Sequence, residues 1–210
     1  MRAVTTVLVA GDRLGLAERL RATGADVRSV PGPFASADAA RRAFAVGGSG
    51  IDVVVSADFP GATPVAQPLV DTTEADWDAR AEAPLRTARY VCQAAFTHLQ
   101  ARGGRIVLVT ATAGLVGATG FAPVAAAAEG TRTLAKAAAR QWGGRGITVN
   151  CVAVPVDLLG GAGDVSVDPP ALGRAATVDD VAGVIALLAG EGAGAITGAT
   201  ITVDRGIVMR

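Results

Sequence analysis

Short apolar runs rich in β-branched residues recur along this chain, separated by stretches with helical spacing. That alternation narrows the fold more than any other feature. Val4–Ala10 (VTTVLVA), Ala25–Val30, Ile51–Ser56 (IDVVVS), Arg105–Thr110, Thr148–Val154 and Ile196–Val203 read as six strands. Arg13–Thr23 carries Leu14, Leu16, Ala17 and Leu20 at helical spacing and is stopped by Gly24. A second helix starts at Ser36-Ala37-Asp38 and ends near Val46-Gly47-Gly48. Long helices are expected over Glu74–Arg102, after Asp71-Thr72-Thr73, and over Pro123–Trp142, closed by Gly143-Gly144. Val178–Ala189 is a further helix, opened by Thr177, with Asp179 and Asp180 in the first turn, where the helix dipole favours acids. Pro31–Pro33 and Pro60–Pro68 read as loops. Strands apolar on both faces and alternating with helices require a mostly parallel sheet covered on both sides. The expected class is α/β, a three-layer α/β/α sandwich. No linker or repeat interrupts the pattern, so residues 1–210 read as one domain.

Composition excludes several function classes. The chain has 210 residues, 50% of them hydrophobic and 18% charged, enough for one sizeable core. Lys+Arg and Asp+Glu balance at 19 each, which gives no electrostatic case for nucleic acid or an anionic membrane. Cys92 and Cys151 stand apart and His98 is the only histidine, so no metal site is expected. His98 falls late in a helix, where a surface role near the C-terminus is expected. Ile106–Ala128 is uncharged and long enough to span a bilayer. Gly114, Gly117, Gly120 and Pro123 break it, and a strand, a glycine-rich loop and a helix start fit better. Nothing in Met1–Ala10 resembles a signal peptide; a cytoplasmic protein with two free thiols is expected.

A dinucleotide site needs glycines after the first strand, so that the pyrophosphate can approach a helix N-terminus. Here VLVAGDRLGLA supplies only Gly11 and Gly15, with Ala17 where a third glycine would fall. Asp12 brings a negative charge toward any phosphate. After the second strand, Pro31, Gly32 and Pro33 have no side chain able to grip a ribose hydroxyl. Gly11, Asp12 and Gly15 therefore read as a remnant glycine loop, a tight turn that binds no cofactor.

Two later blocks carry a family resemblance. GGRGITVNCVAV (Gly143–Val154) resembles the RGIRVNxVxPG strand of short-chain dehydrogenases/reductases, and ITGATITVDRG within Gly173–Gly206 resembles their ITGxxxxVDGG close. The resemblance is specific from Asp52 onward and covers nearly the whole chain. It implies a Rossmann-like sheet, shortened by about one βα unit between Gly11 and Asp52. Counting back from Thr148-Val149-Asn150, the family's tyrosine falls on Val124, its lysine on Ala128, its serine on Ala111 and its asparagine on or near Pro84. The turn the family builds as NNAG reads Val55-Ser56-Ala57-Asp58, and its PG falls at Val154-Pro155-Val156. In that family the tyrosine exchanges the proton, the lysine lowers its pKa and holds the ribose, and the serine polarises the carbonyl. Hydrocarbon side chains do none of this. Thr110, Thr112, Thr119 and Glu129 are the nearest groups that could stand in. Pro84 within a helix removes one hydrogen bond and kinks it, as the family's helix is kinked at its asparagine.

On Glu74–Arg102, Trp77, Ala81, Leu85, Ala88, Cys92, Ala95 and Leu99 form a stripe, widened by Ala83, Tyr90, Val91, Ala94 and Phe96. Pro123–Trp142 is alanine-rich. The resemblance implies that these two helices and the C-terminal strand meet a partner subunit. The expectation is a non-catalytic subunit of a hetero-oligomeric short-chain dehydrogenase. It would hold no cofactor itself and pair with an intact homologue that carries NAD(P). Two rivals stay open: an NAD(P)-dependent oxidoreductase with a divergent site, acting on a carbonyl or hydroxyl substrate, and a ligand-sensing protein with an apolar pocket near Ala111 and Val124.

Overall fold

The structure, a computed structural model, describes residues 5–59, 62–161 and 169–209. Val4 of the first expected strand and Pro60 and Gly61 of the expected loop lie outside the described residues. The strands are β1 Thr6–Ala10, β2 Asp26–Val30, β3 Val53–Ser56, β4 Gly104–Ala111, β5 Ile147–Val154 and β6 Thr200–Thr202. They form one parallel sheet in the order β2-β1-β3-β4-β5-β6. The helices are α1 Leu16–Arg21, α2 Ala37–Val46, α3 Glu74–Trp77, α4 Ala83–Leu99, α5 Ala113–Val116, α6 Ala122–Trp142 and α7 Val178–Ala189. This is the expected three-layer, Rossmann-like sandwich.

Strand periodicity divides the core. Val7, Val9, Val53, Val55, Val107 and Val109 face α1 and α7, where Leu16, Leu20, Ile185 and Leu188 meet them. Leu8, Val54, Ile106 and Leu108 face the other way, toward Phe44 of α2, Val91 and Leu99 of α4 and Ala135 of α6. Alternate residues thus serve opposite layers, which is why the strand runs are apolar throughout. After β1 the chain passes outward to β2, then returns to the other side of β1 as β3. The crevice at the carboxyl ends of β1 and β3 is the switch point where such sheets bind ligands.

Three elements differ from expectation. The helix expected over 74–102 is broken by a wide π-type turn, Asp78–Glu82, and ends at Leu99. Pro84 stands in the first turn of α4, and the widened turn before it accommodates the missing amide and the ring. The sixth strand is only Thr200–Thr202, because Gly198 turns at φ 70° and Asn150 engages the segment before it. Asn150 donates from Nδ2 to the Ile196 carbonyl (2.8 Å) and accepts at Oδ1 from the Ala199 amide (3.1 Å). The third difference is α5, a single turn in the glycine-rich segment after β4.

The caps are local and sequence-encoded. Ser36 accepts from the Ala39 amide and Thr73 from the Asp76 amide. Thr177 and Asp180 form a reciprocal capping box at α7. Asp180 also takes a two-pronged ion pair from Arg205, at 3.1 Å from Nε and 2.6 Å from Nη2. Arg205 has φ 55°, a left-handed conformation at the place where the resembling motif has glycine. The ion pair offsets the cost of that backbone. Cys92 and Cys151 are free and buried, and burial raises both thiols to about 12. His98 leans on Phe44, with ring centroids 5.9 Å apart, and burial lowers its pKa; it joins α4 to α2 rather than standing free on the surface. Among the described residues no helix is long and apolar enough to cross a membrane.

Two stability predictions follow from these contacts. Asn150→Leu strands the Ile196 carbonyl and the Ala199 amide, each costing roughly 1–3 kcal/mol when buried unpaired; urea unfolding is expected to show the loss with an unchanged slope. Burial raises the Asp180 carboxyl, but the Thr177 amide, Arg205 and the Thr177 hydroxyl together bring it from 3.8 down to about 2. Its contribution is therefore complete above the unfolded value and is lost as pH falls from there through about 2. Asp180→Asn is expected to lower Tm at neutral pH and to flatten the Tm profile across that acid window.

Candidate active site and nucleotide crevice

The loop after β1 turns at Gly11 with φ 64°. Asp12 then folds its carboxylate onto the first turn of α1. Oδ1 accepts the Leu16 amide at 2.6 Å and Oδ2 accepts the Ala17 amide at 3.1 Å. Gly15 precedes the helix at φ 70°, offers no side-chain cap, and has open space where a Cβ would point. A positive φ alone accounts for glycine there.

Gly11, besides its positive φ, and Gly32 are glycines for a further reason. A Cβ on Gly11 would run into the Cβ of Asp58 and lie 2.8 Å from its Cγ. A Cβ on Gly32 would lie 3.0 Å from the Asp58 Oδ2 and 3.3 Å from the Gly11 Cα. Asp58, two residues past β3, therefore lies over the ends of β1 and β2 and is 5% exposed. Its Oδ2 has no hydrogen-bond partner. Burial pushes its carboxyl up from the usual carboxylate value, and the charge of Arg13 opposes the shift. Sequence reasoning treated Asp58 only as part of a substituted turn; an acid directly after a wholly apolar strand was the available signal.

The family resemblance places its serine, tyrosine and lysine on Ala111, Val124 and Ala128. Ala111 ends β4, and Val124 and Ala128 stand on α6; their exposures are 0, 1 and 0%. All three belong to one apolar cluster that includes Phe59, Phe121, Val154, Val156 and Leu159. α5 sits directly on α6 here: a Cβ on Gly114 would lie 3.0 Å from the Ala128 Cβ and from the Ala125 carbonyl oxygen. Pro84 is also buried, beside a cavity of about 10 Å³ shared with Ser56, Asp58, Phe59, Thr87 and Thr131. That volume holds about one water molecule.

Among the candidate substitutes, Glu129 reaches this point: its Oε1 lies 2.6 Å from where a Cβ on Gly114 would stand, beside the Ala128 Cβ. Thr110 is fully buried with an unpartnered hydroxyl, Thr112 is buried, and Thr119 is exposed. Glu129 is held by Arg132 Nη1 at 2.6 and 2.7 Å. Arg132 also donates from Nε to Thr200 Oγ1. An open groove of about 520 Å³ lies elsewhere, along β6 and the tail, lined by Leu115, Arg132, Thr200, Thr202, Asp204 and Arg205. No group of three or more metal-ligating side chains occurs among the described residues.

Comparison with known proteins assigns the scaffold. A family model described as Enoyl-(Acyl carrier protein) reductase matches residues 15–208. An uncharacterized oxidoreductase of Mycobacterium tuberculosis is 37% identical over 156 residues, covering 71% of this chain and 57% of that protein. A 3-oxoacyl-[acyl-carrier-protein] reductase of Synechocystis is 35% identical over 64% of this chain and 57% of its own length. The chain thus spans little more than half of these relatives. D-threitol dehydrogenase of Mycolicibacterium smegmatis is 30% identical over 90% of this chain and 74% of its own. Among solved structures, a short-chain dehydrogenase/reductase double mutant of Serratia marcescens superposes with a TM-score of 0.78 at 27% identity, covering 97% of each chain. A dehydrogenase/reductase of Sinorhizobium meliloti gives 0.78 at 26% identity, covering 99% of this chain and 96% of its own. Sheet order, helix layers and these matches agree: the chain belongs to the short-chain dehydrogenase/reductase family.

Proposed function

We propose that this chain is a non-catalytic member of its family, working as a subunit beside an intact homologue that carries NAD(P). The observation that carries this reading is the closed apolar cluster holding Ala111, Val124 and Ala128. Carbonyl reduction or alcohol oxidation needs a group that moves a proton at the reacting oxygen, and general acid–base help alone is worth roughly 10²–10⁴-fold. Methyl and isopropyl groups supply none, and Glu129, the nearest acid on α6, is committed to Arg132.

The names of the relatives favour a second reading. They are a reductase, dehydrogenases and an oxidoreductase, which supports an NAD(P)-dependent oxidoreductase acting on a carbonyl or hydroxyl through other side chains. Against it stands the local geometry: Thr110 and Thr112 are buried, and Glu129, the acid beside Gly114 and Ala128, is paired with Arg132. A ligand-sensing role at Ala111 and Val124 would need space that their side chains do not reach.

For the partner, β6 offers the clearest surface. It is an edge strand of three half-buried residues, followed by a tail where Met209 is exposed. The expected stripes on α4 and α6 are turned largely into the sheet, since Val91, Cys92, Ala94, Ala95, Ala135 and Ala138 are buried. Phe96 stacks on Trp142 at 5.0 Å and Arg89 lies over Tyr90. These helices would meet a partner through half-buried aromatic and small residues rather than through a broad apolar face.

Assays of the purified chain with NADH or NADPH and with short ketone, aldehyde and 3-oxoacyl thioester substrates are expected to show no nucleotide-dependent turnover. Turnover would return the second reading. Co-expression with a tagged intact homologue encoded nearby is expected to yield a stable complex; a chain that stays alone beside every such homologue loses the subunit role. Val124→Tyr and Ala128→Lys each insert a long side chain into a closed cluster. Each is expected to cost at least roughly 1–3 kcal/mol in urea unfolding.

A further inference from the structure

We propose that the dinucleotide crevice of this chain is filled from within, by the carboxylate of Asp12 at the pyrophosphate position and by the side chain of Asp58 over Gly11 and Gly32. The inference goes beyond the non-catalytic reading, because a chain can lack proton-transferring groups and still hold a nucleotide.

In a Rossmann-like sheet the amides at the start of the first helix receive the pyrophosphate, and the glycines before it allow the close approach. Here the Leu16 and Ala17 amides are already bonded to Asp12 Oδ1 and Oδ2. An incoming phosphate would have to displace a carboxylate of its own sign, held by two charge-assisted bonds. The glycine that should receive the cofactor receives Asp58 instead, since a Cβ on Gly11 would collide with it. Gly32, at the end of β2, is blocked by the same carboxylate, with Oδ2 3.0 Å from where its Cβ would stand. The flanking Pro31 and Pro33 supply no hydroxyl-gripping group. The residues present therefore do not fit NAD(P). They form a crevice whose anion and whose bulk both come from the chain.

Two independent features make this testable. Asp12 acts as an internal anion, so its removal should expose two amides. Asp58 occupies the space over Gly11, so the cost of a side chain at Gly11 should depend on Asp58. By contrast, a crevice merely empty would predict neither.

Titration calorimetry of the wild-type chain with NADH, NADPH and inorganic pyrophosphate is expected to show no saturable binding at millimolar concentration. Saturable binding of any of the three overturns the proposal, whether or not the chain is catalytically silent. In Asp12→Ala, native-state hydrogen exchange of the Leu16 and Ala17 amides is expected to rise roughly tenfold or more, as loss of a charge-assisted bond dictates. Asp12→Asn keeps one acceptor oxygen and is expected to protect one of the two amides and release the other, which guards against general unfolding of the alanine variant. Unchanged exchange in Asp12→Ala would remove the internal-anion half. In the third arm, the Tm loss caused by Gly11→Ala is expected to shrink by half or more in an Asp58→Gly background; equal losses in both backgrounds would remove the Asp58 half. A chain that forms no hetero-oligomer leaves these outcomes untouched, so failure of the subunit role and failure of the filled crevice are read separately.

Discussion

The pairing of β4 with β5 is the constraint on which the rest of the molecule depends. Eight residues of each strand are matched in register, from Gly104 with Ile147 to Ala111 with Val154. Every residue of β5 and six of β4 are buried. A strand covered on both faces is apolar at most positions, with Thr110, Thr148 and Asn150 the buried polar exceptions in this pair, and it must have helices on both sides. α4 and α6 on one face and α7 on the other are the answer to that requirement. The register also fixes where β4 ends, and so brings Ala111 to the edge of the layer formed by Val124 and Ala128.

At the switch point the same sheet leaves a crevice that its own acids occupy. Buried carboxylates are expensive unless hydrogen-bonded or paired. Asp12 satisfies the rule through two helix amides. Asp58 does not: it keeps an unpartnered oxygen in a buried site, beside Gly11 and Gly32. Natural sequences depart from local consistency mainly where a site is or was. Asp58 is such a departure, a buried carboxylate oxygen without a partner packed against two glycines.

Most of the architecture was legible in the residues. Thr177 with Asp180 marked the start of α7, and Gly143-Gly144 marked the end of α6, because capping and chain reversal are local chemistry. The strand runs were legible because a buried parallel strand has no polar face. Less could be read where the outcome depends on distant partners. The short β6 reflects Asn150 reaching across to Ile196 and Ala199, a contact separated by more than forty positions. The π-type turn at Asp78–Glu82 reflects Pro84 within a helix otherwise held against the sheet. In the candidate site, Asp12 was read as a charge facing a phosphate position; that it takes the Leu16 and Ala17 amides was not read. Asp58 was missed as a filler because its role depends on two glycines that end other strands.

Similarity to oxidoreductases and the residues at the site speak to different properties. The blocks that carried the resemblance, Gly143–Val154 and Gly173–Gly206, build β5, α7 and β6. Their work is packing: Val149 and Val152 in the core, Ile185 and Leu188 under the sheet, Asp204 accepting the Gly206 and Val208 amides to shape the tail. A fold can be read from such segments without its chemistry, since fold and function are set by different residues. Arg205 makes the point at one position. The resembling motif has glycine there, and the backbone has kept the left-handed turn that glycine permits. An arginine tolerates it because Asp180 takes both of its nitrogens. The turn that glycine permits is held at this position by an ion pair, a local contact that the sequence match alone does not reveal.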